Sequence, residues 1–186
     1  MFYNTLTRLK LIQRWALVYT TIPENVAEHS WDVAVLGHLL ACISNTYYGG
    51  TVDVTLVATA ALYHDSTEAI TGDLPTPIKY HSKGMTAAYK RLETGASKRL
   101  LSTIPKDLQP SYKDIILENL PEDVYKLVKA ADKLAAYLKA KAEVERGNKD
   151  FRTTLIKTQA ALLALKSSEV DYFLQHIHEK THASNS

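Results

Sequence analysis

The chain has 186 residues, 46% of them hydrophobic and 23% charged, a composition that supports the packed core of a single domain and excludes intrinsic disorder. Its 22 Lys and Arg against 20 Asp and Glu leave a net charge of +2 with the signs interspersed, so no basic stripe is offered to polymeric nucleic acid. No stretch approaches the roughly 20 apolar residues of a membrane span, Arg8, Lys10 and Arg14 interrupt the apolar residues that a signal peptide would need, and the lone Cys42 reads as a small core residue in a reducing compartment, so a cytoplasmic protein is expected.

Residues 3 to 13 read as a helix with Leu6, Leu9 and Ile12 or Gln13 near one face, and Arg14 and Trp15 follow at its end. Taken alone, Arg14 is a surface charge and Trp15 an anchor at the core's edge. Residues 16 to 23 form a short extended connector. Asn25 with Glu28 three residues on is the signature of a helix start, and a long helix over about 26 to 45 carries an inward stripe of Val33, Leu36 and Leu40. His29 falls in its first turns, pointing to the core. His38 is half a turn out of phase with His29 and reads as structural, and Tyr47 to Gly50 end the helix.

A helix over about 54 to 70 carries His64, Asp65 and Glu68, with Gly72 as its cap; at 100° per residue His64 and Glu68 share a face. Asp73, Leu74, Pro75, Thr76 and Pro77 follow as a stiff turn whose prolines prevent helix. Residues 84 to 103 form an amphipathic helix with Met85, Ala88, Tyr89, Leu92, Ala96 and Leu100 as a core stripe. Pro105 and Pro110 break the chain before a short helix with Ile115 and Ile116. The helix from Pro121 to Arg146 buries Val124, Leu127, Val128, Ala131, Leu134 and Leu138 and sets Asp132 beside that stripe; Gly147 closes it. Helices over about 151 to 166 and 168 to 180 complete an all-helical chain, with His176, His178 and His182 in a solvated polar tail.

His29, His64, Asp65 and Asp132 are therefore two imidazoles and two carboxylates carried by three helices next to core stripes. An unpartnered carboxylate buried there costs several kcal/mol, so a cation is the natural complement, and this donor set suits one borderline divalent ion such as Co, Mn, Zn, Ni or Fe(II). Four ligands leave two positions of an octahedron open. Glu68, not needed to complete the set, is assigned as general acid/base, and Arg14 offers the planar fork that orients a phosphoryl group. Lys79 and Lys129 are further candidates for that charge.

The H...HD...D set matches the HD-domain phosphohydrolase signature. The blocks RLKLIQRW, ENVAEHS, YHDSTEAITGDLPTPIKY, LVKAADKLAAYLK and EVDYF, in that order over almost the whole chain, resemble the bacterial YfbR-type 5'-deoxynucleotidases. The resemblance implies a compact HD-domain helical bundle over residues 1–186, the last dozen being a tail, that hydrolyses 2'-deoxyribonucleoside 5'-monophosphates and assembles as a homodimer. It also implies that His29, Asp65 and Asp132 contact substrate, that Trp15 stands near the sugar C2', and that Asp73 binds the 3'-hydroxyl with Leu74, Pro75 and Thr76 completing that wall. Two alternatives stay open: a dNTP triphosphohydrolase using the same metal, Glu68 and Arg14, and a non-catalytic nucleotide-binding HD protein.

Overall fold

The computed structural model describes residues 1–178. Its α-helices in chain order are α1 (Phe2–Leu6), α2 (Val26–Tyr47), α3 (Val54–Tyr63), α4 (Glu68–Thr71), α5 (Thr76–Lys79), α6 (Lys83–Ser102), α7 (Gln109–Ile116), α8 (Glu122–Glu145), α9 (Arg152–Leu163) and α10 (Ser168–Phe173). Among the described residues there is no strand, and an isolated antiparallel bridge joins Gln13 to Asn25. The all-helical expectation holds. The final residues of the expected tail, His182 among them, lie outside the described residues.

The chain folds into two compact units, each built from two segments. The first comprises Met1–Trp31 and Leu62–Leu120. Here α1 does not continue to residue 13 as expected; it tightens at Thr7 into a 3-10 turn that ends at Leu11, with Leu9 buried against Val26 and Ala69. Residues 16 to 23 are not an extended connector. Val18 donates its N–H back to the Trp15 carbonyl at 2.9 Å, and Trp15 itself lies at φ 63°. A second cluster places Leu100, Ile104 and Ile116 against Phe2, Leu6, Ile70 and Tyr112.

Only part of the α6 stripe is core. Tyr89, Ala96 and Leu100 are buried, whereas Met85, Ala88 and Leu92 are exposed. The prolines act differently from expectation too. Pro75 occupies the N-cap of α5 and Pro77 its first turn, where a missing N–H leaves no helical bond unmade; Pro110 sits in the first turn of α7 in the same way.

The second unit comprises Asp32–Ala61 and the chain from Pro121 onward. Gly37 lets helices approach closely: a Cβ built there meets Val57 Cγ1 at 3.3 Å and the Cβ atoms of Ala61 and Ala131 at 3.4 and 3.7 Å. Along α8, Val124, Leu127, Val128, Ala131 and Leu134 are buried as the stripe predicts, whereas Leu138 at its end is half-buried, and Phe151, Leu162, Val170 and Phe173 extend this core. The EVDYF segment ties back to α2, Glu169 accepting from Ser44 Oγ at 3.0 Å and Tyr172 stacking on Tyr47 at 4.5 Å.

Cys42 is half-buried rather than a core residue, its Sγ 3.8 Å from Nδ1 of the exposed His38. His178 is not simply solvated. It is partly buried, stacks on Phe173 and meets Lys141 Nζ at 3.1 Å, while His176 is exposed beside Tyr172.

Candidate active site

The start of α2 is fixed by reciprocal capping: Glu28 N–H donates to Asn25 Oδ1 at 3.0 Å and Asn25 N–H to Glu28 Oε2 at 3.0 Å. One turn on, His29 is 1% exposed, so the cap decides where its ring stands.

The expected helix over 54 to 70 is interrupted. α3 stops at Tyr63, and residues 64 to 67 form tight turns in which Ser66 N–H donates to Tyr63 O at 2.9 Å and Glu68 N–H to Asp65 O at 3.0 Å. These are three-residue bonds, and the Ser66 and Thr67 side chains favour such non-helical turns over a continuous α-ladder. His64 and Glu68 therefore do not stack on a common α-helical face. The tighter turn instead swings Asp65 beside the imidazoles: its Oδ2 lies 3.1 Å from His64 Nε2 and 3.7 Å from His29 Nε2, and the two rings stand 5.3 Å apart. Ligand nitrogens of the two histidines come within 4.8 Å of one another.

This donor set fits a transition-metal ion. Bonds of about 2.1 Å at right angles put neighbouring ligand atoms about 3 Å apart, close to the separations seen here. His29 Nδ1, on the other side of its ring, lies 3.4 Å from Glu24 Oε1, the carboxylate–imidazole arrangement that orients a ligating histidine. Asp132 stands half-buried on α8, next to Ala131 and Leu134 in the second unit.

Arg14 reaches the same cluster. Its Nη1 is 3.5 Å from Asp65 Oδ2 and its Nε 3.2 Å from Glu24 Oε1. Trp15, next along, donates its indole N–H to Glu24 Oε2 at 2.9 Å. Glu24 is thus common to three expected site residues, yet the residue pattern assigned it no role of its own; its signals were its place immediately before the α2 cap and at the head of the ENVAEHS block. Burial by itself would raise its pKa, but the His29 hydrogen bond, the Arg14 charge and the Trp15 hydrogen bond hold it below the ordinary carboxylate value.

Glu68 opens α4, buried at 5% exposure, and Gly72 caps that helix at φ 73° as expected. Burial first, then the like charges of Asp65 and Asp73, push its carboxyl up to about 8, against the partial relief of Lys79 and Arg14. Lys79 Nζ stands 3.4 Å from Glu68 Oε1 and 3.8 Å from Asp73 Oδ1. Burial works against the Lys79 charge, but Glu68, the Tyr89 hydroxyl and Asp73 raise its pKa well above the usual lysine value. The sequence ranked Lys79 behind Arg14, yet in the structure it is Lys79 that forms the ion pair with Glu68. Beyond Asp73, Leu74 and Pro75 are half-buried and Thr76 exposed; Lys129 lies over the Tyr125 ring at 5.4 Å.

The family model described as 5'-deoxynucleotidase YfbR-like matches residues 1–181. The chain is 41% identical to a 5'-deoxynucleotidase of Vibrio vulnificus, covering 93% of this chain and 90% of that one. It is 43% identical to a 5'-deoxynucleotidase of Escherichia coli, covering 94% and 88%. A crystal structure of an HD-domain phosphohydrolase from Listeria innocua superposes with a TM-score of 0.84 at 24% identity, covering 98% of this chain and 88% of that one, a likeness of fold.

Proposed function

The chain belongs to the YfbR-like 5'-deoxynucleotidase family, and we propose that it hydrolyses 2'-deoxyribonucleoside 5'-monophosphates to deoxynucleoside and inorganic phosphate. The observation that carries this reading is the convergence of His29, His64 and Arg14 on one oxygen of Asp65, one short turn before a buried Glu68. In the proposal His29, His64, Asp65 and Asp132 hold one divalent ion, Co, Mn or another borderline metal. Such an ion, when bound, supplies Lewis acidity toward a phosphoryl oxygen and toward the attacking water.

The protein's own groups do the rest. Arg14 directs its guanidinium at the non-bridging phosphoryl oxygens and neutralises charge that grows as the water oxygen bonds to phosphorus and the P–O5' bond breaks. Glu68, protonated near neutral pH by its surroundings, gives a proton to the departing O5' and recovers one from the water. Lys79 holds Glu68 in place and links it to Asp73, which binds the 3'-hydroxyl beside Leu74, Pro75 and Thr76. Trp15 crowds C2' and disfavours a ribose. Homodimeric assembly in the cytoplasm belongs to the same proposal and rests on the family resemblance; light scattering checks the assembly.

The test is release of phosphate from dAMP, AMP and dATP by metal-stripped protein with Co(II), Mn(II), Zn(II) or Mg(II) restored. Inorganic phosphate from dAMP alone, dependent on added metal, is expected; triphosphate from dATP alone would replace the reading with the triphosphohydrolase one. Trp15→Ala is expected to lower the dAMP to AMP ratio of kcat/KM by about 10- to 100-fold, the range in which one steric contact discriminates. An unchanged ratio would remove Trp15 from sugar selection.

A further inference from the structure

Glu24 contributes no atom to the reaction proposed above, yet it is buried and gathers three of the residues that do. Its Oε2 accepts the Trp15 indole N–H at 2.9 Å, and its Oε1 lies 3.2 Å from Arg14 Nε and 3.4 Å from His29 Nδ1. The backbone repeats the connection. Arg14 N–H donates to the Glu24 carbonyl at 2.9 Å and Val26 N–H to the Ile12 carbonyl at 3.0 Å, on either side of the Gln13–Asn25 bridge. Residues 12 to 14 and 24 to 26 therefore run antiparallel, and Trp15 leaves this pairing at φ 63°.

That left-handed conformation is unfavourable for a bulky side chain and persists where the surroundings over-determine it. The Glu24 hydrogen bond is a side-chain anchor of that kind. The chemistry of the acceptor also matters: Trp15 and His29 present N–H groups and Arg14 a positive charge, and an ionised carboxylate is the side chain that only accepts. Glutamine has the same shape but turns an NH2 toward at least one of these donors.

Building on the deoxynucleotidase reading, we infer that Glu24 is a positioning residue for sugar selection, its carboxylate holding the Trp15 ring at C2' in register with Arg14 at the phosphate and His29 at the metal. It acts through these side chains and touches neither substrate nor metal. One acceptor-only group thereby couples the sugar end of the site to its phosphate end.

The experiment compares wild type, Glu24→Gln, Trp15→Ala and the double variant, reading kcat and KM for dAMP and AMP. In parallel, the Trp15 indole N–H resonance, identified by its loss in Trp15→Phe, is followed by NMR in metal-free protein. Glu24→Gln is expected to lower the dAMP to AMP ratio of kcat/KM about tenfold and to move the indole proton upfield. In the double variant the loss of selectivity should be no greater than in Trp15→Ala alone, because Glu24 acts through Trp15. A folded Glu24→Gln with the ratio within about twofold of wild type, or additive losses in the double variant, overturns the inference. Should Glu24→Gln give no cooperative melt, Glu24→Asp, with its acceptor drawn back by one methylene, carries the same readouts: a shifted indole proton with a lowered ratio supports the inference, and both unchanged overturn it. A wild-type protein that releases no phosphate from dAMP removes the deoxynucleotidase reading instead, and the indole resonance then decides whether Glu24 positions Trp15.

Discussion

Glu68 and Glu143 are both buried, one in each unit, and their surroundings have opposite characters. Glu143, on α8, has no exposed surface and both oxygens are partnered: Oε1 with Lys139 Nζ at 2.6 Å, one turn earlier, and Oε2 with Asn148 Nδ2 at 2.9 Å. Asn148 N–H also donates to the Glu143 carbonyl at 3.0 Å, so the cluster fastens the end of α8 where Gly147 turns the chain at φ 89°. Glu68 is nearly as buried, but its cation stands farther off at 3.4 Å, its Oε2 has no hydrogen-bond partner, and Asp65 and Asp73 oppose its charge. Burial is common to both; satisfaction is not. A carboxylate whose neighbours complete it holds a helix end, and one left incomplete is available for proton transfer.

The largest expected effect tests the reactive side of this contrast. Glu68→Ala should lower kcat for dAMP by about 10²- to 10⁴-fold, the usual contribution of a positioned acid or base. The melting temperature should hold or rise, because the variant deletes an incompletely satisfied acid. A Glu68→Ala protein that kept its kcat would place the two glutamates in one structural class.

Lys139→Ala probes the other side. It strips the cation from a fully buried carboxylate, a change that costs about 3–5 kcal/mol of stability. Urea unfolding at pH 7 should show that loss while kcat of the folded fraction stays at the wild-type value. A loss of kcat with stability intact would make Glu143 part of the chemistry.

The sequence carried the fold well where local rules suffice. The Asn25–Glu28 cap, the Gly72 and Gly147 helix ends and the α8 stripe stand where the residue pattern places them. It failed where a turn is decided by competition among neighbours. An apolar run followed by HDSTE looks helical throughout, and nothing in it announces that the backbone tightens over residues 64 to 67 and carries Asp65 toward the imidazoles. His29, His64, Asp65 and Arg14 were legible as chemical types, and the structure brings these four together. Glu24 was illegible for a different reason. It is one acid among 20 Asp and Glu, and its importance lies in the Trp15 indole, the His29 imidazole and the Arg14 guanidinium meeting it in space. The left-handed backbone at Trp15 was equally hidden, since a tryptophan gives no conformational warning of the sort a glycine gives.

The smallest expected effect sharpens the comparison through pH. Burial, with Asp65 and Asp73, raises the Glu68 carboxyl from 4.5 to about 8 on folding, so the folded protein binds that proton more tightly than the unfolded chain does. The cost of ionising Glu68 is therefore absent well below pH 4.5, grows between pH 4.5 and 8, and is complete above pH 8. Glu68→Gln removes a group that pays nothing at the acid end and everything at the alkaline end. In metal-stripped protein the variant should accordingly melt higher than wild type at pH 9 by at least about 2–4 °C, the shift that roughly 1 kcal/mol gives a chain of this size, with the gain shrinking steadily toward pH 5. Glu143→Gln should show no such growth: both carboxylate oxygens are already partnered, and losing the Lys139 contact lowers the melting temperature at both pH values. A Glu68→Gln gain that was equal at pH 6 and pH 9 would mean that Glu68 stays ionised across this range, held by Lys79, and the distinction between the two glutamates would then rest on the position of Glu68 beside Asp65 alone.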